Sequence, residues 1–231
     1  MILTCDMYKI EYFYIFSRKD IEPVAAMSKA KAMSKAKIFI TDDDFSPEPS
    51  VPKGLLYFKD AIDEKNDLVS FIDSLDKWKT LSDSKNSRKV QHYGYLYDYK
   101  SGKTTTKADP IPEEFLSLID SLKKKCKTES EFNQVIVNNY ETGQGISAHT
   151  DVKEYGPIIG CYTIGSGATM RFTRGDEKYD IYVEPNSLYI MSGESRYEWK
   201  HEMLARKSDV VGEKKIQRGR RISITFRCVP I

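Results

Sequence analysis

From Gln134 onwards the sequence changes from helical spacing to an alternation of polar and apolar residues. An alternation of two is the period of a β-strand, because successive side chains point to opposite faces of a sheet. Glycine, proline, asparagine and aspartate separate the runs, as is typical of turns. Many short strands joined by turns favour a sandwich, a barrel or a jelly roll. The runs are QVIVNNY, PIIGCYTI, ATMRFT, KYDIYV, SLYIM and RISITFRC.

Two helical segments precede this β region. Residues 63–77 carry apolar side chains at helical spacing, with acids at the start. A second helix is predicted to begin at Pro112 and to end in three lysines, which suit its negative end. The fold class is therefore predicted to be α+β, with N-terminal flanking helices and a β core. The apolar residues are Leu68, Phe71, Ile72 and Leu75, then Phe115, Leu118, Ile119 and Leu122.

The first fifty residues differ from the rest in composition. The hexapeptide AMSKAK occurs at 26–31 and again at 32–37, which is too short a repeat for a solenoid unit. Acids, serine and three prolines follow in TDDDFSPEPSVP, a linker composition. We expect an N-terminal extension over 1–50, with a basic repeat and a linker, and one folded domain over 51–231.

Positive charge is concentrated towards the C-terminus, although the net charge of the chain is only +2. From Arg196 to Ile231, ten lysines and arginines stand against four acids. Such a surface, beside a reactive site, fits a polyanionic substrate. Solvated lysines on a loop are an equally good interpretation of the same residues.

The cellular compartment is predicted from two features that the sequence lacks, a long apolar run and closely paired cysteines. No apolar run is as long as the roughly 18–20 residues needed to span a bilayer. The four cysteines form no CxxC pair, which favours free thiols in a reducing compartment. We expect a soluble intracellular protein of the cytoplasm or nucleus, monomeric and without a membrane partner.

Two of the three histidines form a recognisable pattern with an acid. His149 and Asp151 are two residues apart, so an extended segment places both side chains on one face. With His201 they give two imidazoles and one carboxylate, the ligand set of a mononuclear iron site with open positions. His92 has no such partners, and we interpret it as a packed or surface histidine.

The last strand carries polar residues on one face and Ile222, Ile224 and Phe226 on the other. Arginines on a buried face need anionic partners, and a small dicarboxylic acid is one. Arg221 and Arg227 lie about 20 Å apart along an extended strand, so they cannot hold the same carboxylate. One is predicted to hold a far carboxylate and the other to act near the iron or Asp151; ion pairs with neighbouring strands are the alternative.

These motifs together resemble the AlkB family of iron(II)- and 2-oxoglutarate-dependent dioxygenases, over the stretch from Arg88 to Arg227. The family pattern N-x-Y matches Asn138-Asn139-Tyr140, H-x-D matches His149-Thr150-Asp151, and R-x5-R matches Arg221 to Arg227. Within the family, YETGQGI and MSGESRYEWKH most resemble the animal homologue that hydroxylates a modified wobble uridine in transfer RNA.

The resemblance implies a double-stranded β-helix (jelly roll) core and an enzyme that uses Fe(II), 2-oxoglutarate and O2. It implies that His149, Asp151 and His201 bind iron. It also implies that Arg221 holds the distal carboxylate of 2-oxoglutarate. The implied 2-oxoglutarate contacts are Asn138, Tyr140, Arg221, Ser223 and Arg227.

The implied reaction is hydroxylation or oxidative demethylation of a nucleobase in RNA, transfer RNA foremost, or in DNA. In HYGYLYDY, the tyrosines 93, 95, 97 and 99 alternate and are expected to share one strand face, where Tyr93 and Tyr95 are candidates for base stacking. A packed aromatic face is the alternative. Trp199 either lines the substrate pocket or fills core. A protein or small-molecule hydroxylase and a non-catalytic nucleic-acid-binding module remain alternative functions.

Overall fold

A computed structural model describes residues 51–63, 67–82, 87–99 and 101–230. The predicted N-terminal extension over 1–50 lies outside the described residues. Within them the chain forms fifteen strands and three helices. In chain order these are β1 Leu55–Phe58, α1 Leu68–Ser74, β2 Lys79–Thr80, β3 Lys89–Tyr93, β4 Tyr95–Asp98, β5 Lys103–Lys107, α2 Glu113–Cys126, β6 Gln134–Tyr140, β7 Ile146–His149, β8 Ile158–Gly165, β9 Ala168–Arg174, β10 Glu177–Val183, β11 Ser187–Ser192, α3 Gly193–Tyr197, β12 Lys200–Met203, β13 Ser208–Val211, β14 Lys214–Gln217 and β15 Arg221–Arg227.

The strands form two larger sheets whose pairs are all antiparallel. The larger sheet has the order β1-β11-β8-β15-β6-β3-β2, and the smaller one has the order β10-β9-β12-β7. From β6 to β12 the chain passes repeatedly from one sheet to the other, which is the winding of a double-stranded β-helix. The predicted α+β class with a jelly-roll core is therefore confirmed. Two small hairpins, β4–β5 and β13–β14, project from this core.

The flanking helices cover the outer face of the larger sheet. Helix α2 begins after Pro112, and its buried residues are the predicted stripe. Leu122 packs directly on β8, because a Cβ at Gly160 would lie 2.5 Å from the Leu122 Cδ2. Truncating Leu122 to alanine should cost about 2–5 kcal/mol of stability. Helix α1 is confirmed but shorter than the pattern over 63–77, with Asp67 accepting a capping hydrogen bond from the Ser70 amide at 3.0 Å.

Apolar side chains form two clusters, one on each face of the larger sheet. The first cluster lies between that sheet and the helices, and it contains Ile222, Ile224 and Phe226 of β15. The second lies between the two sheets, where Phe172 of β9 meets Tyr189 of β11. The site described below opens within this second cluster. None of the helices in the described residues combines the length and the apolar character needed to span a membrane.

The prediction that tyrosines 93, 95, 97 and 99 share one strand face is wrong. Strand β3 ends at Tyr93, and Gly94 takes a φ of +75°, in a place where a Cβ would lie 1.9 Å from the Asn133 carbonyl oxygen. The chain then turns into β4, which pairs with β5 in a separate hairpin. A glycine with positive φ ends the alternation of faces, so Tyr93 and Tyr95 do not share one strand face.

Candidate active site

One cavity between the two sheets gathers all eight residues that the resemblance assigns to metal and 2-oxoglutarate. Its empty volume, open mouth included, is about 400 Å³. Apolar side chains line the remaining wall. The lining residues are Asn138, Tyr140, Ile146, His149, Asp151, Cys161, Met170, Tyr189, Met191, His201, Arg221, Ser223, Thr225 and Arg227.

Strand pairing explains how distant residues reach this cavity. On β15 the polar alternate residues face the cavity, while the intervening apolar ones enter the first cluster. In the register between β15 and β6, Arg221 lies opposite Tyr140 and Ser223 lies opposite Asn138. Cross-strand partners share a face, so the two-residue spacing on each strand places all four side chains on one wall.

The two histidines are also cross-strand partners. His201 on β12 lies opposite His149 at the end of β7, and their ring centroids are 4.3 Å apart. Asp151 lies two residues after the end of β7, and its Oδ2 lies 3.9 Å from the His201 Nε2. The Nδ1 of His149 lies 2.8 Å from the Ser147 carbonyl oxygen, an arrangement in which Nδ1–H donates and Nε2 keeps its lone pair for a metal.

Arg227 holds one oxygen of the Asp151 carboxylate and leaves the other free. Its Nε donates to Oδ1 at 2.9 Å, and its Nη2 lies 2.7 Å from the same oxygen in an ion pair, whereas the buried Oδ2 has no hydrogen-bond partner. Burial by itself raises the pKa of Asp151, but neighbouring positive groups, Arg227 first among them, outweigh it and the pKa falls to about 2. Burial lowers the pKa of His201 to about 3, despite the nearby carboxylate.

These donors fit an Fe(II) ion. At neutral pH they supply an ionised carboxylate and a neutral imidazole, the protonation states that metal ligands require. An orphaned carboxylate oxygen inside the cavity is what a metal would complete. The described residues hold no group of three histidine, cysteine or acidic side chains already converged in metal-binding geometry, so coordination requires side-chain adjustment. His149 is only partly buried, whereas His201 is buried.

Arg221 marks the other part of the cavity as a site for an anion. It is 4% exposed, and its Nη2 donates to the Thr163 hydroxyl at 2.9 Å. Its guanidinium carbon lies 5.6 Å from the centre of the Tyr140 ring, and its Nε has no partner. Within the described residues no carboxylate forms a salt bridge with it. A buried cation without a counter-charge is costly, so this wall suits a carboxylate ligand.

Comparison with known proteins agrees with this arrangement. A family model described as the 2OG-Fe(II) oxygenase superfamily matches residues 74–227, about two thirds of the chain. The chain belongs to this family. It is a 2-oxoglutarate-dependent dioxygenase that uses Fe(II), 2-oxoglutarate and O2.

Relatives place the chain among the AlkB-like members. It is 38% identical over 148 residues to the uncharacterized protein L905 of Acanthamoeba polyphaga mimivirus, covering 62% of this chain and 70% of that one. It is 31% identical over 174 residues to the tRNA (carboxymethyluridine(34)-5-O)-methyltransferase ALKBH8 of Macaca fascicularis, covering 70% of this chain and 26% of that one. The chain thus spans about a quarter of that relative's length. The solved structure of OsALKBH1 shares the fold, with a TM-score of 0.57 at 16% identity over 77% of this chain and 99% of that one.

Arg196 is a site residue of this AlkB-like oxygenase that sequence reasoning missed. It is 2% exposed, and its guanidinium donates to the backbone carbonyls of Asp151 at 3.2 Å and Val152 at 2.5 Å. Its guanidinium carbon also lies 4.7 Å from the centre of the Tyr197 ring. It therefore fixes the backbone that carries a candidate metal ligand. In the sequence it contributes only to a count of basic residues.

Two of the predicted substrate residues of the oxygenase lie elsewhere. Trp199 precedes β12, is 1% exposed in the second cluster and lies under the Arg174 guanidinium at 4.9 Å. Tyr93 is 3% exposed, packs against Phe115 and donates to the Gln91 side chain at 2.7 Å. Both are packed in the core, and neither lines the cavity.

Tyr95 is half-buried, and its backbone carbonyl accepts a hydrogen bond from the Gln134 side chain at 3.2 Å. The tyrosines closer to the site are Tyr97 and Tyr99, whose rings meet edge to face with centroids 4.9 Å apart. His92 joins them: its Nδ1 accepts a hydrogen bond from the Tyr97 amide at 3.2 Å. His92 is thus a structural histidine at the corner between β3 and β4, in keeping with its isolation in the sequence.

Proposed function

We propose that this oxygenase hydroxylates or oxidatively demethylates a nucleobase, in RNA, with transfer RNA foremost, or in DNA. The observation that carries the proposal is one cavity with a metal donor set at Asp151 and an unpaired buried cation at Arg221. The nucleic-acid part is supported by relatives whose names refer to carboxymethyluridine in tRNA and to alkylated DNA repair.

In this proposal His149, Asp151 and His201 hold the Fe(II) ion. Arg227 orients the Asp151 carboxylate by binding Oδ1, so that Oδ2 stays directed into the cavity. The neutral His201 is desolvated by the surrounding core, which favours ligation over protonation. Bound Fe(II), 2-oxoglutarate and O2 supply the oxidising power that inserts an oxygen atom into a C–H bond.

The co-substrate would lie along the wall formed by β6 and β15. Arg221, supported by the Thr163 hydroxyl, is placed to bind its distal carboxylate by charge-assisted hydrogen bonds. Asn138 and Ser223, whose side chains lie 3.5 Å apart, offer further polar contacts beside it. The apolar wall of Met170 and Met191 keeps water away from the reacting centre.

The substrate base would enter beside the β4–β5 hairpin. Tyr99 is 41% exposed, and with Tyr97 it offers an aromatic surface next to the cavity. Stacking on such rings is how proteins commonly hold an unpaired base, at about 1–3 kcal/mol per base.

The test is product analysis with matched variants. Purified protein with Fe(II), ascorbate and 2-oxoglutarate should form succinate, and RNA or DNA should increase the rate. Mass spectrometry of nucleosides before and after incubation names the modified base. His149→Ala should abolish turnover, whereas His92→Gln should retain it. Stimulation by peptides or small molecules but by neither nucleic acid would contradict the proposal and favour a different hydroxylase on the same scaffold.

A further inference from the structure

Arg88 is a cation at the cavity rim that the assigned roles do not use. Its Nε donates to the Asn138 Oδ1 at 2.9 Å, and its guanidinium carbon lies 5.8 Å from the centre of the Tyr99 ring. Asn138 lines the cavity and is 7% exposed, whereas Tyr99 is 41% exposed. The guanidinium therefore lies between a cavity-lining side chain and an exposed ring, at the rim of the cavity.

No protein carboxylate neutralises this guanidinium within the part of the chain that the structure describes. The same region holds further cations: burial, together with the charges of Arg227, Lys79 and Arg88, lowers the pKa of His92 to about 4. The Arg227 charge is matched by Asp151, but the Arg88 charge has no such match. The rim is thus electropositive, and it attracts anions.

The neighbours of Arg88 indicate what kind of anion fits. The rings of Tyr97, Tyr99 and His92 form a contact chain, with centroid distances of 4.9 and 5.7 Å. An aromatic surface beside a guanidinium is suited to a nucleotide, since a base can stack while an oxyanion next to it receives paired N–H donors.

We propose that Arg88 binds an oxyanion of the substrate at the rim, either the phosphodiester beside the modified base or a carboxylate carried by that base. The inference rests on the proposed function and assigns a specificity residue to it. Arginine presents a planar fork of donors that matches both groups, so both sources share one chemistry.

The competing explanation is that Arg88 only positions Asn138 for the co-substrate. The two roles are separated by measuring the two ligands independently. Loss of an oxyanion site weakens nucleic-acid binding and leaves the KM for 2-oxoglutarate unchanged. Loss of Asn138 positioning raises that KM and leaves nucleic-acid binding unchanged.

The experiment measures binding without turnover. Protein loaded with Mn(II) and N-oxalylglycine, an unreactive analogue of 2-oxoglutarate, is titrated into a fluorescently labelled RNA oligonucleotide, and anisotropy gives the affinity. Arg88→Met should weaken binding roughly tenfold or more, as expected for a lost charge-assisted hydrogen bond. Arg88→Lys should lie between. The control Lys89→Met removes the adjacent, exposed charge and should change affinity less than about twofold.

Three competitors distinguish the sources of the oxyanion: a dinucleotide, a neutral uridine and a carboxymethyluridine nucleoside. If Arg88→Met loses affinity for the dinucleotide alone, the oxyanion is the phosphodiester. The salt dependence of RNA binding should then decrease by an amount equal to about one phosphate contact. A selective loss for carboxymethyluridine identifies the carboxylate. Equal losses for all three, an unchanged RNA affinity in Arg88→Met, or no RNA binding by the wild type would overturn the assignment. Wild-type protein that binds RNA through Arg88 yet forms no product would contradict the proposed function alone.

Discussion

The two ends of β15 carry the same side chain on the same face of one strand, in opposite surroundings. Arg227 forms an ion pair with Asp151, in which Nε donates to Oδ1 at 2.9 Å and Nη2 lies 2.7 Å from the same oxygen. Arg221 meets the Thr163 hydroxyl at 2.9 Å and, within the described residues, no carboxylate. A buried cation is stable only with a counter-charge. The protein supplies that charge to Arg227, whereas at Arg221 we expect the ligand to supply it.

The two arginines therefore have different tasks, although they belong to the same sequence motif. At the Arg227 end, an ion pair within the protein contributes to folding and holds a metal-ligand candidate in place. At the Arg221 end, a buried cation without a carboxylate partner lowers the stability of the free protein and increases its affinity for an anionic ligand. Loss of either arginine should reduce activity, but only one loss should reduce stability.

The largest effect is expected from removal of the shared carboxylate at the paired end. Asp151→Asn takes away a metal donor and leaves Arg227 buried beside a neutral amide, so turnover should disappear and stability should fall by about 3–5 kcal/mol. Mn(II) titration and urea unfolding measure the two losses. The matched control is Asp180→Asn, which breaks a more exposed pair with Arg171 and should cost less than about 1 kcal/mol. Similar costs in both variants would show that the Arg227 pair is no different from a surface pair.

The two arginines can be compared directly by the same substitution. Arg227→Met should destabilise the fold by about 3–5 kcal/mol, because Asp151 keeps a buried charge without its partner. Arg221→Met removes a buried cation that has no carboxylate partner within the described residues, so stability should stay the same or rise. Its KM for 2-oxoglutarate should increase roughly tenfold to a hundredfold, the range of a lost hydrogen bond to a charged group. Equal destabilisation by the two variants would remove the distinction between the ends.

The face on which each side chain of β15 lies could be predicted from the sequence, because side chains alternate along a strand with a period of two residues. Parity alone placed Arg221 and Arg227 on one face, and the N-x-Y spacing placed Asn138 and Tyr140 together on β6. The strand-rich core was likewise predictable, since many short alternating strands favour a sandwich, a barrel or a jelly roll. The choice of the jelly roll among these followed from the family resemblance.

Contacts that depend on tertiary placement were not accessible in this way. Gly94 ends the alternation of the tyrosines through its positive φ, which no periodicity reveals. Trp199 was judged by its distance from His201, but it lies before β12 begins, so strand parity does not apply to it. Arg88 and Arg196 reach the site only through contacts with Asn138 and with the Asp151 carbonyl.

A smaller effect is expected where the protein supports the paired end through its backbone. Arg196→Met removes the donors to the carbonyls of Asp151 and Val152, so Mn(II) affinity should fall about ten- to a hundredfold, as for other outer contacts of metal ligands. Arg196→Lys keeps one donor and should recover part of the affinity. A loss of thermal stability with unchanged metal affinity would show a purely structural role.

The smallest expected effect is a change in the pKa of His92. This pKa reports how each end of β15 contributes to the electrostatic potential at His92. Burial and the charges of Arg227, Lys79 and Arg88 hold its pKa near 4. Arg227→Met removes one of these cations and unpairs an anion, so the His92 pKa should rise by up to about one unit, whereas Arg221→Met should leave it unchanged.

NMR titration of the imidazole protons measures this shift, and unfolding at several pH values provides the second measurement. Because the folded pKa lies below the unfolded value of about 6.5, the stability from neutral His92 is present above that pH. It is lost as the pH falls through about 4. A higher folded pKa brings the folded and unfolded values closer together. The loss of stability that His92 causes between pH 6.5 and 4 should therefore be smaller in Arg227→Met than in Arg221→Met. Identical His92 titrations in both variants would mean that burial alone sets its pKa, and that the two ends do not differ in potential at this position.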